Sequence, residues 1–259
     1  MAARPALGAA SRGQLGPGDA SVRVVLLDIE GTTTPIAFVH AVLFPYAARA
    51  LPAFLEGHAF DSAVAADIAL LAHEYAAEKA SGNADLPPWD GASGAAGAIP
   101  YLQYLMRQDR KSTALKSLQG RVWEMGYRTG ELVGQLFEDV APSLAGWHAA
   151  GLRLAIFSSG SIHAQQLLFR HSEAGDLTPY LAGYFDTRSG PKREASSYRC
   201  IAQAMEVAPE AMLFVSDVAA ELDAARAAGC ATALSVRPGN APVEGTEHPR
   251  ITSLGDLGL

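Results

Sequence analysis

"VVLLDIEGTTTP", residues 24–35, decides the reading of this chain. A short apolar run delivers Asp28 and Glu30 on alternate positions and then breaks into glycine, threonines and a proline. Val22–Leu27 therefore reads as a buried strand of a parallel sheet, because such strands are near-continuous runs of branched apolar residues bounded by polar or glycine punctuation. Leu152–Phe157, Met212–Val215 and "ATALSV" from Ala231 read the same way. "AAELDAARAAG" reads as a helix stopped by Gly229. Strands alternating with helices indicate an α/β fold with a doubly wound parallel sheet.

More than a hundred residues separate the first strand from the second, too many for one crossover. "FVHAVLFPYAARALPAFLEG", "SAVAADIALLAHEYAAEKA", "IPYLQYLMRQ" and "KSTALKSLQGRVWEMGYRTGEL" have helical character, with leucines and aromatics at helical spacing. The Pro- and Gly-rich "SGNADLPPWDGASGAAGA" reads as a loop. The expected organisation is an α/β core over 22–36 and 138–259 and an inserted all-helical cap over 37–137. The Ala/Gly/Pro-rich residues 1–21 lack the continuous apolar segment of a secretory signal and are expected to be a disordered extension.

A formal net charge of −7 and a pI of about 5.5 speak against a nucleic-acid partner. No uninterrupted apolar run reaches the ~18 residues of a membrane span, so no membrane partner is expected. Cys200 and Cys230 form neither a CxxC nor a metal spacing, and the expectation is a reduced cytoplasmic protein. The seven histidines show no ligand spacing.

Each strand end carries groups suited to phosphate chemistry. Asp28, Glu30 and Thr32 follow the first strand, Ser158 and Ser159 the second, and Ser216 and Asp217 the third; Lys192 lies in a loop before a helix. Carboxylates at two strand ends, with serines and a lysine between them, suit a Mg²⁺ and phosphate site, because Mg²⁺ takes few carboxylates, keeps waters and is completed by phosphate oxygens. Asp28 is then a candidate nucleophile forming an aspartyl-phosphate. Glu30 returns to the same side of the strand and is a candidate proton donor to the leaving alkoxide. Ser158 and Ser159 also suit a helix N-cap, a position where capping and phosphate binding coincide. Glu221 and Asp223 read as helix charges beside the site or in solvent.

"DIEGT" resembles the nucleophile motif of the haloacid dehalogenase superfamily, with Glu in its second acidic place, and Ser158, Lys192 and Asp217 fall where that superfamily's later motifs stand. "LLDIEGTTTPIAFVHAVLFPYA", "FSSGSIHAQQLLFRHSEAGDL", "YFDTRSGPK", "ASSYRCIA" and "SVRPGN" are similar to the enolase-phosphatase (acireductone synthase) family of methionine salvage over about residues 22–256. The resemblance implies one Mg²⁺ per subunit held by Asp28, Asp217 and the Glu30 backbone carbonyl, with Thr32, Ser158, Ser159 and Lys192 binding the substrate. It also implies a phosphorylated diketone, 5-(methylthio)-2,3-dioxopentyl phosphate, enolised and then dephosphorylated to the acireductone by a monomer. A plain phosphatase of the same superfamily is the nearest alternative. A receiver-like phospho-acceptor module is disfavoured, since receivers are about half as long and have no helical insertion.

Overall fold

The computed structural model describes residues 22–259 apart from 92, 109 and 111, so the extension expected over 1–21 lies outside the described residues. Val24–Leu27 (β1), Arg153–Phe157 (β2), Leu181–Phe185 (β3), Met212–Ser216 (β4), Ala231–Ser235 (β5) and Arg250–Ile251 (β6) form one sheet in the order β3-β2-β1-β4-β5-β6. Every pairing is parallel. The doubly wound α/β fold is therefore the one expected. β1 is central, paired on one side through Val24↔Arg153 and on the other through Val24↔Met212, and all four of its residues are buried.

β3 and β6 were not anticipated. β3, "LAGYF", pairs only with β2 and leaves most of its residues partly exposed, so it lacks the apolar run of a buried strand. β6 has only two residues.

The helices are Ile36–Phe38 (α1), Phe44–Gly57 (α2), Ser62–Ala80 (α3), Gly94–Arg107 (α4), Thr113–Thr129 (α5), Val140–Ala149 (α6), Ile162–Arg170 (α7), Ala195–Ala204 (α8) and Ala219–Ala228 (α9). A π-helical turn, Val39–Leu43, joins α1 to α2. α9 ends at Gly229 with φ of 106°, a left-handed conformation that glycine adopts without steric cost. α4 begins inside the stretch expected to be loop. Ala98, Tyr101, Leu102 and Leu105 bury one face of it at helical spacing, and the alanines before Pro100 favour helix over the neighbouring glycines.

Two compact units result. The first comprises residues up to Pro35, Leu136–Ser158 and Pro179–Leu259; the second comprises Ile36–Gln135 and Ser159–Thr178. The first unit packs Val24, Leu26 and Phe214 of the sheet with Tyr198 and Ile201 of α8 and Leu222 of α9. The second buries Tyr46, Leu51, Leu71, Leu102, Leu118 and Val122, and Leu167 of α7 joins that cluster. That packing is why α7 goes with the helices and not with the core to which the sequence assigned it.

The stretch Ile36–Gly57 is long and apolar enough, by length and composition, to cross a membrane. It nevertheless carries His40, Arg49 and Glu56, and its buried residues Tyr46, Ala47, Leu51 and Leu55 belong to the core of the second unit. It is best read as a core helix.

Candidate active site

The order of strands reverses between β1 and β4, which places their carboxyl ends side by side at a topological switch point, where open α/β sheets bind ligands. Asp28 stands there immediately after β1, its backbone N–H donating to the Val215 carbonyl at 3.0 Å. Its carboxylate is buried and held from three directions. Oδ1 accepts from the Ile29 N–H at 2.7 Å and pairs with Lys192 Nζ at 2.8 Å, while Oδ2 lies 3.1 Å from Ser216 Oγ.

Lys192 also pairs with Glu221 Oε2 at 2.6 Å, and its ammonium lies over the rings of Phe157 and Phe214 at 5.8 and 6.0 Å. Its loop is pinned by the next helix: Tyr198 Oη donates to the Lys192 carbonyl at 2.6 Å, and Ser197 Oγ donates to the Pro191 carbonyl at 2.7 Å. Glu221 is thus no solvated helix charge. Its side chain is only 12% exposed, and Ser216 Oγ bridges it to Asp28 at 3.1 Å on each side. A hydroxyl carries one proton, so Ser216 donates to one carboxylate at a time. Asp223, by contrast, is exposed and pairs with Arg226 and His248.

The charges do not balance. Burial alone would lower the Lys192 pKa, but the carboxylates of Asp28 and Glu221 outweigh it and the net shift is upward. Burial and the Asp28 charge raise Glu221 despite its lysine partner. Burial, and then the charges of Asp28 and Glu221, push Asp217 up to about 7. Three carboxylates share one ammonium, and a divalent cation would cancel the remainder. Among the described residues no group of three or more His, Cys, Asp or Glu side chains forms a metal cage.

The turn after Asp28 is tightly held. The Ile29 carbonyl accepts from the N–H groups of Thr32, Thr33 and Thr34 at 3.2, 2.9 and 2.9 Å. Gly31 takes φ of 66°, and a Cβ there would lie 2.4 Å from Asp217 Oδ2, so only glycine fits. The Gly31 carbonyl accepts from Ser235 Oγ at 3.0 Å and Asn240 Nδ2 at 2.9 Å, and the Thr32 carbonyl from Arg237 Nε at 3.2 Å. Arg237 is itself fixed by Asp139, at 3.0 and 2.8 Å. Thr32 Oγ1 is buried without a hydrogen-bond partner among the described residues, a donor free for a ligand oxygen. Glu30 is half-buried and bridges to Thr34.

The two serines part company. Ser158 is buried at the end of β2, its N–H donating to the Phe185 carbonyl at 3.1 Å. Ser159 is exposed and falls in the second unit, where its carbonyl accepts from Lys116 Nζ at 3.4 Å. Neither caps α7; Ser161 does, accepting from the Ala164 N–H at 3.3 Å. A cavity of about 720 Å³ in the second unit, between Phe54, His58 and Arg121, contains none of the residues gathered around Asp28.

A haloacid dehalogenase-like hydrolase family model matches residues 22–229. Enolase-phosphatase E1 of Synechococcus elongatus is 57% identical over 241 residues, covering 93% of this chain and 100% of the relative. Enolase-phosphatase E1 of Pseudomonas aeruginosa is 47% identical, covering 92% and 98% of the two chains, and that of Drosophila grimshawi is 45% identical, covering 92% and 96%. Among solved structures, the UTR4 protein of Saccharomyces cerevisiae matches with a TM-score of 0.74 and 33% identity over 90% of this chain and 98% of that one. CbbY from Rhodobacter sphaeroides, at 18% identity and a TM-score of 0.55, shares the fold. Enzymes of this kind are generally metal-dependent. The candidate site stands at the switch point of a doubly wound sheet, and the curated relatives match over more than nine-tenths of the chain: it belongs to the haloacid dehalogenase-like hydrolases, in the branch of the enolase-phosphatase E1 enzymes.

Proposed function

We propose that this protein is a Mg²⁺-dependent enolase-phosphatase that converts 5-(methylthio)-2,3-dioxopentyl phosphate to the acireductone and phosphate. The observation that carries the reading is the buried Asp28 carboxylate, oriented by Ile29 N–H, Lys192 and Ser216 beside Asp217, in a chain 57% identical to an enolase-phosphatase. Asp28, Asp217 and the Glu30 carbonyl would hold one Mg²⁺ per subunit. When bound, the cation supplies Lewis-acid polarisation of oxygen and neutralises phosphate charge.

Asp28 attacks phosphorus, the bond to the substrate oxygen breaks, and that oxygen leaves with a proton from Glu30. Water then attacks phosphorus in the aspartyl-phosphate, Glu30 takes the water's proton, and phosphate departs with Asp28 regenerated. Lys192 holds the Asp28 carboxylate in place, and with Thr32 and Ser158 it offers donors to the phosphate oxygens. Enolisation precedes these steps, moving a proton from the carbon beside the carbonyl to its oxygen. The reading includes a cytoplasmic monomer; Cys200, exposed, and Cys230, buried, are both free, which fits a reducing compartment.

The test follows enediol absorbance and phosphate together after mixing protein, diketone phosphate and Mg²⁺. Both signals are expected. Phosphate without the enediol product leaves a plain phosphatase; neither signal defeats the proposal.

A further inference from the structure

Asn240 lies in the segment after β5, and Nδ2 of its side chain donates to two carbonyls, Gly31 at 2.9 Å and Ser235 at 3.1 Å. Carbonyls only accept, so the end of the amide that faces them is the nitrogen and the orientation is fixed chemically. Oδ1 therefore points the other way. It is buried and has no hydrogen-bond partner among the described residues.

Where it points follows from Gly31. A Cβ on that residue would lie 2.4 Å from Asp217 Oδ2 and 2.8 Å from Asn240 Oδ1, so the two oxygens converge over the same Cα. With Asp217 ionised both are acceptors, and neither then brings the proton or the positive charge that would join them. Leaving a buried acceptor unsatisfied costs roughly 1–3 kcal/mol. The cost disappears when a cation, or a water that a cation orients, occupies the space the two oxygens face. An amide oxygen is a hard, neutral donor of the kind that Mg²⁺ and Ca²⁺ accept.

From this convergence we propose that Asn240 is a positioning residue of the cation site, contributing a neutral oxygen next to Asp217 while its nitrogen clamps the turn after the nucleophile. One side chain thus joins two tasks, fixing the Gly31 carbonyl and completing the oxygen set that a divalent cation meets. The inference rests on the reading of Asp28 and Asp217 as metal ligands. The sequence neighbours assist: Ser235 shares the clamp on the Gly31 carbonyl through its hydroxyl.

The experiment is a calorimetric titration of the substrate-free protein with Mg²⁺, comparing wild type, Asn240→Ala, Asn240→Ser and Ser235→Ala. The Ser235 variant removes a clamp donor and keeps the amide oxygen, and it is expected to bind within about threefold of wild type. Asn240→Ala is expected to bind about 10–100-fold more weakly, the usual effect of losing a group that orients a metal's ligands. Asn240→Ser retains a short donor for Gly31 and keeps the test open if the alanine variant fails to fold; it too is expected to lose at least tenfold. Melting temperatures without metal report the clamp alone. Wild-type affinity in the Asn240 variants overturns the proposal, as does an equal loss in Ser235→Ala, which would assign the whole effect to the clamp. Absence of Mg²⁺ binding in the wild type overturns the metal-site reading itself, and so separates that failure from this one.

Discussion

Asp28 and Asp217 end neighbouring strands in opposite settings. Donors converge on Asp28, whereas Asp217 is pushed up to about 7 by burial and then by the carboxylates it faces. Asp28→Asn keeps the shape but removes the attacking charge, and phosphate release is expected to fall by several orders of magnitude. With high Mg²⁺ the same variant is expected to exchange the proton beside the substrate carbonyl with deuterated solvent faster than it releases phosphate, followed by NMR. Activity within tenfold of wild type would remove Asp28 as nucleophile; exchange lost in step with phosphate release would tie Asp28 to enolisation. Asp28 and Asp217 stood out in the sequence because a carboxylate just after a buried apolar run needs a partner to be kept there. Glu221 was not: a glutamate one turn into a helix looks like any solvated charge until Lys192 closes on it at 2.6 Å. Arg237 and Asn240 lie in the family-like "SVRPGN", but what they do there was not legible, since their partners Thr32 and Gly31 lie 205 and 209 residues away in sequence.

At the scale of elements, strand runs and helical spacing revealed the sheet's interior and most helices, because burial on both faces forces apolar composition. The edge strand β3 escaped because an edge relaxes that demand. Close approaches between helices escaped as well. Gly126 of α5 meets the ring of Tyr46 on α2, where a Cβ would lie 2.6 Å from the ring. Replacing a helical glycine by alanine ordinarily gains about 1 kcal/mol. Forcing a methyl group into a packed contact costs roughly 1–3 kcal/mol, so the clash outweighs the propensity. Gly126→Ala is therefore expected to lower the urea midpoint, and a raised midpoint would show that the ring moves freely aside.

Across the whole molecule, the unbalanced carboxylates link stability to pH. In the metal-free folded chain Asp217 binds a proton up to about pH 7, whereas its ordinary pKa is 3.8. Between these values the folded state holds more protons than the unfolded one, so stability falls as pH rises through that window and levels off above it. In EDTA the melting temperature of wild type is expected to decline from pH 5 to 7.5 more steeply than that of Asp217→Asn. Added Mg²⁺ should stabilise wild type most at the upper end, where no proton has to be displaced. Parallel slopes in the two proteins would place the titration elsewhere.

The central position of β1 also bears on how the protein is made. Its strand emerges from the ribosome before its partners, and Ser216, which hydrogen-bonds the Asp28 carboxylate, follows Asp28 by 188 residues. At about 5–20 residues per second, that is a wait of roughly 10–40 s. For the first part of it "VVLL" has neither neighbour, and after β2 is made it still lacks β4, so the nascent chain displays an apolar strand with at least one flank unpaired. A chain interrupted before Met212 therefore has an unfinished sheet as well as a missing tail, and its β1 edge is open to pairing with any other exposed strand.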